Sequence, residues 1–155
     1  MQKLVATLVV GVLFTAAGIF GADVRIGTWK YNAAKSKTNS SNPIKTQVDV
    51  LEATPDGRVS VSRTGQFADG TAFKYSFSFK YDGRDYKVQG APFDVIAVKR
   101  IDANTTSFEA SKTGSKYLLK GKTVISPDGQ TRTQTTQGTD AAGKPLSQTL
   151  VFNRI

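Results

Sequence analysis

Asp-Gly steps punctuate this 155-residue chain at near-constant spacing. "TPDG" ends at Gly57, "FADG" ends at Gly70 and "YDGR" carries Gly83, each glycine thirteen residues after the last. "SPDG" ends at Gly129 and "DAAGK" holds Gly143. Glycine supplies the positive φ that tight hairpin turns require, and a proline ahead of the aspartate pre-sets the turn. "IDANT" at 101–105 and "KTGSK" at 112–116 read as two more turns. A chain interrupted this often is a run of hairpins.

The stretches between turns are rich in Val, Ile, Thr, Phe and Tyr, as strands are. They fall at 25–31, 44–53, 58–66, 72–81, 84–89, 94–101, 105–111, 117–126, 130–138 and 146–154. No helix is expected after residue 22. The polar segment "NAAKSKTNSSNP", residues 32–43, is a loop with room for one helical turn at Ala33–Lys35. Ten short antiparallel strands twist, and they bury an apolar face most simply by closing on themselves. Closure also removes exposed edges. The expected fold is therefore all-β, a closed or nearly closed antiparallel up-and-down barrel of 8–10 strands. A β-sandwich is the alternative, and the regular hairpin spacing argues against its Greek-key crossings.

Period-two alternation divides each strand into faces. Phe73, Tyr75, Phe77, Phe79 and Tyr81 share one face of "AFKYSFSFKYDG", with Lys74, Ser76, Ser78 and Lys80 on the other. Five of the chain's fifteen aromatics lie in these nine residues, and the Lys/Ser face marks solvent, so the rings point inward. Plain core and the wall of a ligand cavity both fit such a row. In 44–52, Ile44, Val48 and Val50 oppose Lys45, Gln47 and Asp49. In 58–63, Val59 and Val61 oppose Arg58, Ser60 and Ser62, and in 117–125 Tyr117, Leu119 and Ile125 oppose Lys120 and Lys122. Residues 94–101 divide ambiguously: Ile96 and Val98 go with Arg100, and Val95, Ala97 and Ile101 with Lys99. "QTRTQTTQG", 130–138, has no large apolar residue. It is either the wall of a hydrated cavity or a poorly buried strand.

The first residues, "MQKLVATLVVGVLFTAAGIFGAD", carry one positive charge and then an uncharged run to Ala22. They resemble a secretory signal peptide over 1–22, leaving one domain over 23–155, periplasmic or secreted. An uncleaved N-terminal anchor is the other reading of so long an apolar run. No cysteine follows the run, so lipoprotein anchoring is excluded.

The formal charge is +9, which suits an anionic partner or serves solubility alone. There is no cysteine and no histidine. Disulfides, thiol nucleophiles, Cys/His zinc sites and Ser-His-Asp triads are thereby excluded, along with the side chain best suited to proton transfer near neutral pH.

"GTWKYNAAKSK", residues 27–37, places Gly-x-Trp on the first strand after the leader. This resembles the calycin barrels, the lipocalins and fatty-acid-binding proteins. The resemblance implies that Trp29 closes one end of the barrel. With "KYDGRDYKVQG", "VKRIDANT" and "SPDGQTRTQTTQGTDAAGKP", the chain from 25 to 155 also resembles small exported bacterial proteins with a lipocalin-like domain. That resemblance implies a fold and a bias toward small-molecule binding. Three family features are missing. The ending "LVFNRI" holds Arg154 without the carboxylate-clasping Arg-x-Tyr of fatty-acid-binding proteins, the 32–43 loop is too short for their two-helix lid, and lipocalin disulfides have no counterpart.

Three functions are weighed. The first is a non-catalytic binding protein for a small lipophilic, amphipathic or anionic ligand in a barrel cavity. Trp29, Phe73, Tyr75, Phe77 and Phe79 would form its apolar wall. Arg63, Arg100 and Arg132 are its candidate anchors, since an inward arginine needs an acid or a ligand anion. For any one of them alone, a solvated or ion-paired surface arginine is the favoured reading, since arginine is rarely fully buried. The second is an enzyme acting through carboxylates. Here Asp56, Asp69, Asp82, Asp102, Asp128 and Asp140 sit in turns, where their work is geometry, and only Asp49, Glu52 and Glu109 lie within strands. The third is a solid barrel whose basic exterior, including Lys35, Lys37, Lys45, Lys74, Lys80, Lys87, Lys120 and Lys122, meets anionic lipid, polysaccharide or a protein partner. The expectation is the first: a monomer with no metal, no cofactor, no nucleic-acid partner and no membrane anchor after leader removal.

Overall fold

The computed structural model describes residues 22–155, so the leader expected over 1–22 lies, all but its last residue, outside the described residues. The strands are β1 (Gly27–Tyr31), β2 (Lys37–Thr38), β3 (Ile44–Ala53), β4 (Val59–Phe67), β5 (Ala72–Phe79), β6 (Asp82–Lys87), β7 (Val95–Arg100), β8 (Thr105–Ser111), β9 (Leu118–Ile125), β10 (Thr131–Thr139) and β11 (Pro145–Arg154). All ten strands read from the sequence form, with ends shifted by two residues at most. The helical turn forms as well: Ala33–Lys35 is a 3-10 turn, capped by the Asn32 side chain, which accepts from the Lys35 amide. The two-residue β2 is an addition, pairing Lys37 and Thr38 with β11.

Hydrogen-bonded neighbours run β5-β4-β3-β1-β11-β10-β9-β8-β7-β6, all antiparallel. This is a nearly closed ten-strand barrel, with a seam between β5 and β6. "YDGR" has the sequence of one more hairpin turn, yet β5 and β6 are the two ends of the path and do not pair. Phe93, on the β6–β7 connection, covers the inside of the seam. It meets Tyr75 and Phe77 edge-on at ring-centroid distances of 6.0 and 5.4 Å. Turn aspartates bond turn amides whether or not the flanking strands pair: Asp69 accepts from Thr71 N at 2.8 Å, Asp82 from Arg84 N at 3.0 Å and Asp128 from Gln130 N at 3.0 Å.

The faces follow the period of two, with one reversal. On β5 the aromatics point inward and Ser76 meets Ser62 outside. On β7, Ile96 and Val98 point inward, which resolves the ambiguous strand. On β3 the expected faces are exchanged. Gln47, Asp49 and Leu51 are buried inside, while Val48 and Val50 are half-buried on the outer face. A bulge between Ile44 and Thr46 sets this register. Ile44 still faces the cavity, and the bulge brings Gln47 inward after it. Gly65 permits the bulge, because a Cβ there would lie 2.3 Å from Thr46 O and 2.4 Å from the Phe73 ring.

Candidate functional site

The barrel encloses a cavity of about 290 Å³ that opens at the end carrying Asn42, Pro43 and Phe73. Its two sides differ in chemistry. The β4–β5 side and Phe93 present aromatic rings, with Phe73, Tyr75, Phe77 and Phe79 spaced 6.1 to 6.2 Å along the strand. The β10–β11 side presents Arg132, Gln134 and Gln148. "QTRTQTTQG" is thus a cavity wall through Arg132 and Gln134, and Thr136 on the same strand is fully buried.

Between the two sides lies a charged cluster. Register places Trp29 opposite Asp49, Asp49 opposite Arg63 and Arg63 opposite Tyr75, so four strands contribute one continuous inner row. The fully buried Asp49 carboxylate accepts from Arg63 Nε at 2.8 Å and Nη2 at 2.9 Å, a bidentate pair. It also accepts from Gln47 Nε2 at 2.8 Å and from Arg132 Nη2. Arg63 Nη1 donates to the Tyr75 hydroxyl at 3.1 Å. Arg132 lies over the Phe152 ring, with its guanidinium carbon 4.1 Å from the centroid.

Two guanidiniums face one carboxylate, so one positive charge is left over inside the barrel. Burial alone would push the Asp49 carboxyl up, but Arg63 and Arg132 override it and hold it well below the usual carboxylate range. Arg63 is stabilised as a cation by Asp49, against the cost of its burial. Arg132 moves the other way, because burial and the nearby Arg63 outweigh its share of Asp49. Guanidinium stays protonated throughout. The excess charge is shared between the two guanidiniums, and the buried Arg132 Nε has no hydrogen-bond partner among the described residues.

The expected site residues divide. Phe73, Tyr75, Phe77, Phe79, Arg63 and Arg132 line the cavity together. Trp29 does not; it lies beneath as the floor. It is fully buried, its indole N–H donates to Arg25 O at 2.9 Å, and the Arg154 guanidinium covers its ring at 4.3 Å. Gly27 makes room for this, since a Cβ there would stand 2.3 Å from Arg154 Nη1. Arg100 lies outside, half-exposed, at the strand end where alternation no longer points a side chain into the cavity. It pairs with Asp23 at 3.3 Å and covers Tyr81.

Sequence reasoning missed Asp49 and Gln47, which it placed outside, and Arg25 and Phe93, which it did not single out; Tyr81 it placed on the inward aromatic face without counting it in the cavity wall. Asp49 carried one usable signal, being one of the few carboxylates inside a strand. Arg25 is buried at the closed end, bonded to Asp23 at 2.9 Å and to Asp102 O at 3.1 Å.

A nearly closed antiparallel barrel floored by a buried tryptophan is similar in fold to the calycin-type barrels. Solved structures agree with that architecture at low sequence identity. The S-type phycobiliprotein lyase CPES from Guillardia theta is 11% identical, over 85% of this chain and 89% of that one, with a TM-score of 0.58. The Schistosoma mansoni fatty acid binding protein, solved in complex with arachidonic acid, is 10% identical over 85% of this chain and 96% of that one, with a TM-score of 0.55. The fluorescent protein UnaG is 11% identical over 84% and 96%, with a TM-score of 0.54. No protein-family model and no curated protein matches the chain.

Proposed function

We propose that this protein is an exported, non-catalytic carrier or receptor that holds a small amphipathic anion in the barrel cavity. The observation that carries this reading is the pair Arg63 and Arg132, two buried guanidiniums on the single Asp49 carboxylate, at an aromatic-walled cavity. A buried positive charge in excess of its acids is costly, and a ligand acid would offset that cost. The apolar side then takes the ligand's body. The fatty acid binding protein of similar architecture holds a molecule with both parts, arachidonic acid.

Native mass spectrometry of the protein exported by a bacterial host, before and after solvent extraction, tests the reading. A stoichiometric extra mass that extraction removes is expected, with a formula containing an acidic group. A bare mass, with no uptake from a lipid and metabolite extract, would refute it. The basic exterior would then be the surface to test, through salt-sensitive binding to anionic vesicles. Export is tested separately, by finding the shortened chain in the periplasmic or culture fraction.

A further inference from the structure

We propose that the ligand is a small planar aromatic acid, one or two rings with a carboxylate, and not a fatty acyl chain. This rests on the reading of the cavity as a binding site and adds the shape and class of what fills it.

Three observations converge. The first is size. A cavity of about 290 Å³ stands at the lower edge of ordinary ligand pockets. That suits a ring system and crowds a long chain. The second is the lining. Nine aromatic side chains face the cavity. Phe93 turns its edge to Tyr75 and Phe77 and lies nearly parallel to Tyr117, at 20° and 6.5 Å. A ring among these gains offset and edge-to-face contacts that an acyl chain lacks, beyond the area both would bury. A ring also has few torsions to freeze, whereas a chain loses freedom at each one. The third is the polar side. Arg132 and Gln134 alternate inward on β10, two residues apart, with Gln148 on the neighbouring strand. An acid group against the cavity side of the Arg132 guanidinium leaves the amides of Gln134 and Gln148 facing the rest of the ligand. An acyl chain would strip water from those amides and return nothing. A ring bearing hydroxyl or carbonyl groups satisfies them.

Calorimetric titration of the extracted protein with three probes tests this: 1-naphthoate, its neutral counterpart 1-naphthalenemethanol, and decanoate. Naphthoate is expected to bind at least about tenfold tighter than either of the others, a difference of one decade in Kd. Arg132→Met is expected to remove the preference for naphthoate over the alcohol while the alcohol still binds. Decanoate binding as tightly as naphthoate, or within that margin, would overturn the aromatic class and leave the cavity reading standing. Equal affinity for naphthoate and the alcohol would overturn the acid. If none of the three binds at millimolar concentration, the cavity reading falls with the proposal.

Discussion

Asp49 and Arg63 stand opposite each other on β3 and β4, joined by two hydrogen bonds of 2.8 and 2.9 Å, with the carboxylate wholly removed from solvent. The same carboxylate reaches Arg132 from the far side of the barrel. One acid thus ties together residues 14 and 83 positions away in the chain.

Removing that acid leaves two buried cations facing each other. Asp49→Asn is expected to cost about 3–5 kcal/mol, the usual penalty for breaking a buried ion pair from one side. Replacing Asp49, Arg63 and Arg132 together with apolar residues of similar volume should recover most of that loss. Urea unfolding of the two variants checks both outcomes, and equal instability would show that the charges are not the cause.

Acid should unfold the protein through the same group. The folded Asp49 pKa is depressed, so its contribution is fully present above the ordinary value of 3.8 and is lost as pH falls through the folded value. Stability should therefore decline progressively below about pH 4. Asp49→Asn should show a shallower decline over that range. Stability measured by urea unfolding at a series of acidic pH values gives the two slopes, and parallel slopes would exclude Asp49 as the source.

Gly27 and Gly65 are among the glycines held by close contact. Gly27→Ala puts a Cβ against Arg154 Nη1 at a backbone φ of +135°, so strain adds to the loss of the cover over Trp29. Gly65→Ala meets the Thr46 carbonyl and the Phe73 ring. Each is expected to cost about 1–3 kcal/mol, read from chemical unfolding. Gly65→Ala should in addition shift the resonances of Phe73 at the cavity mouth.

Phe93 is the seam's inner cover. Phe93→Ala should destabilise by about 3–5 kcal/mol, as for other buried phenylalanines. It should also enlarge the cavity beside the β5–β6 seam. A folded variant is expected to lose its preference for naphthoate over decanoate, because the ring partner is gone and length is better tolerated. An unchanged preference would place the aromatic selectivity elsewhere in the wall.

Much of this was legible in the chain. Asp-Gly turns and period-two strands are local signals, carried by a few neighbouring residues, and they set the strand boundaries, the aromatic inner face of β5 and the closure into a barrel. Gly27 and Trp29 also announced a floor. Sequence alone went wrong on β3. There Val48 and Val50 looked like core and Gln47 and Asp49 like surface, because a charged residue is placed outside unless its partners are known. Those partners, Arg63 and Arg132, lie on other strands, and only the closed barrel brings them to one carboxylate. The bulge at Ile44–Thr46 then sets the face. The seam was equally out of reach, since an Asp-Gly turn looks the same whether or not its flanking strands bond. Local chemistry determined that this chain is a barrel of hairpins, and tertiary pairing of buried charges decided that its interior is a cationic, half-aromatic cavity.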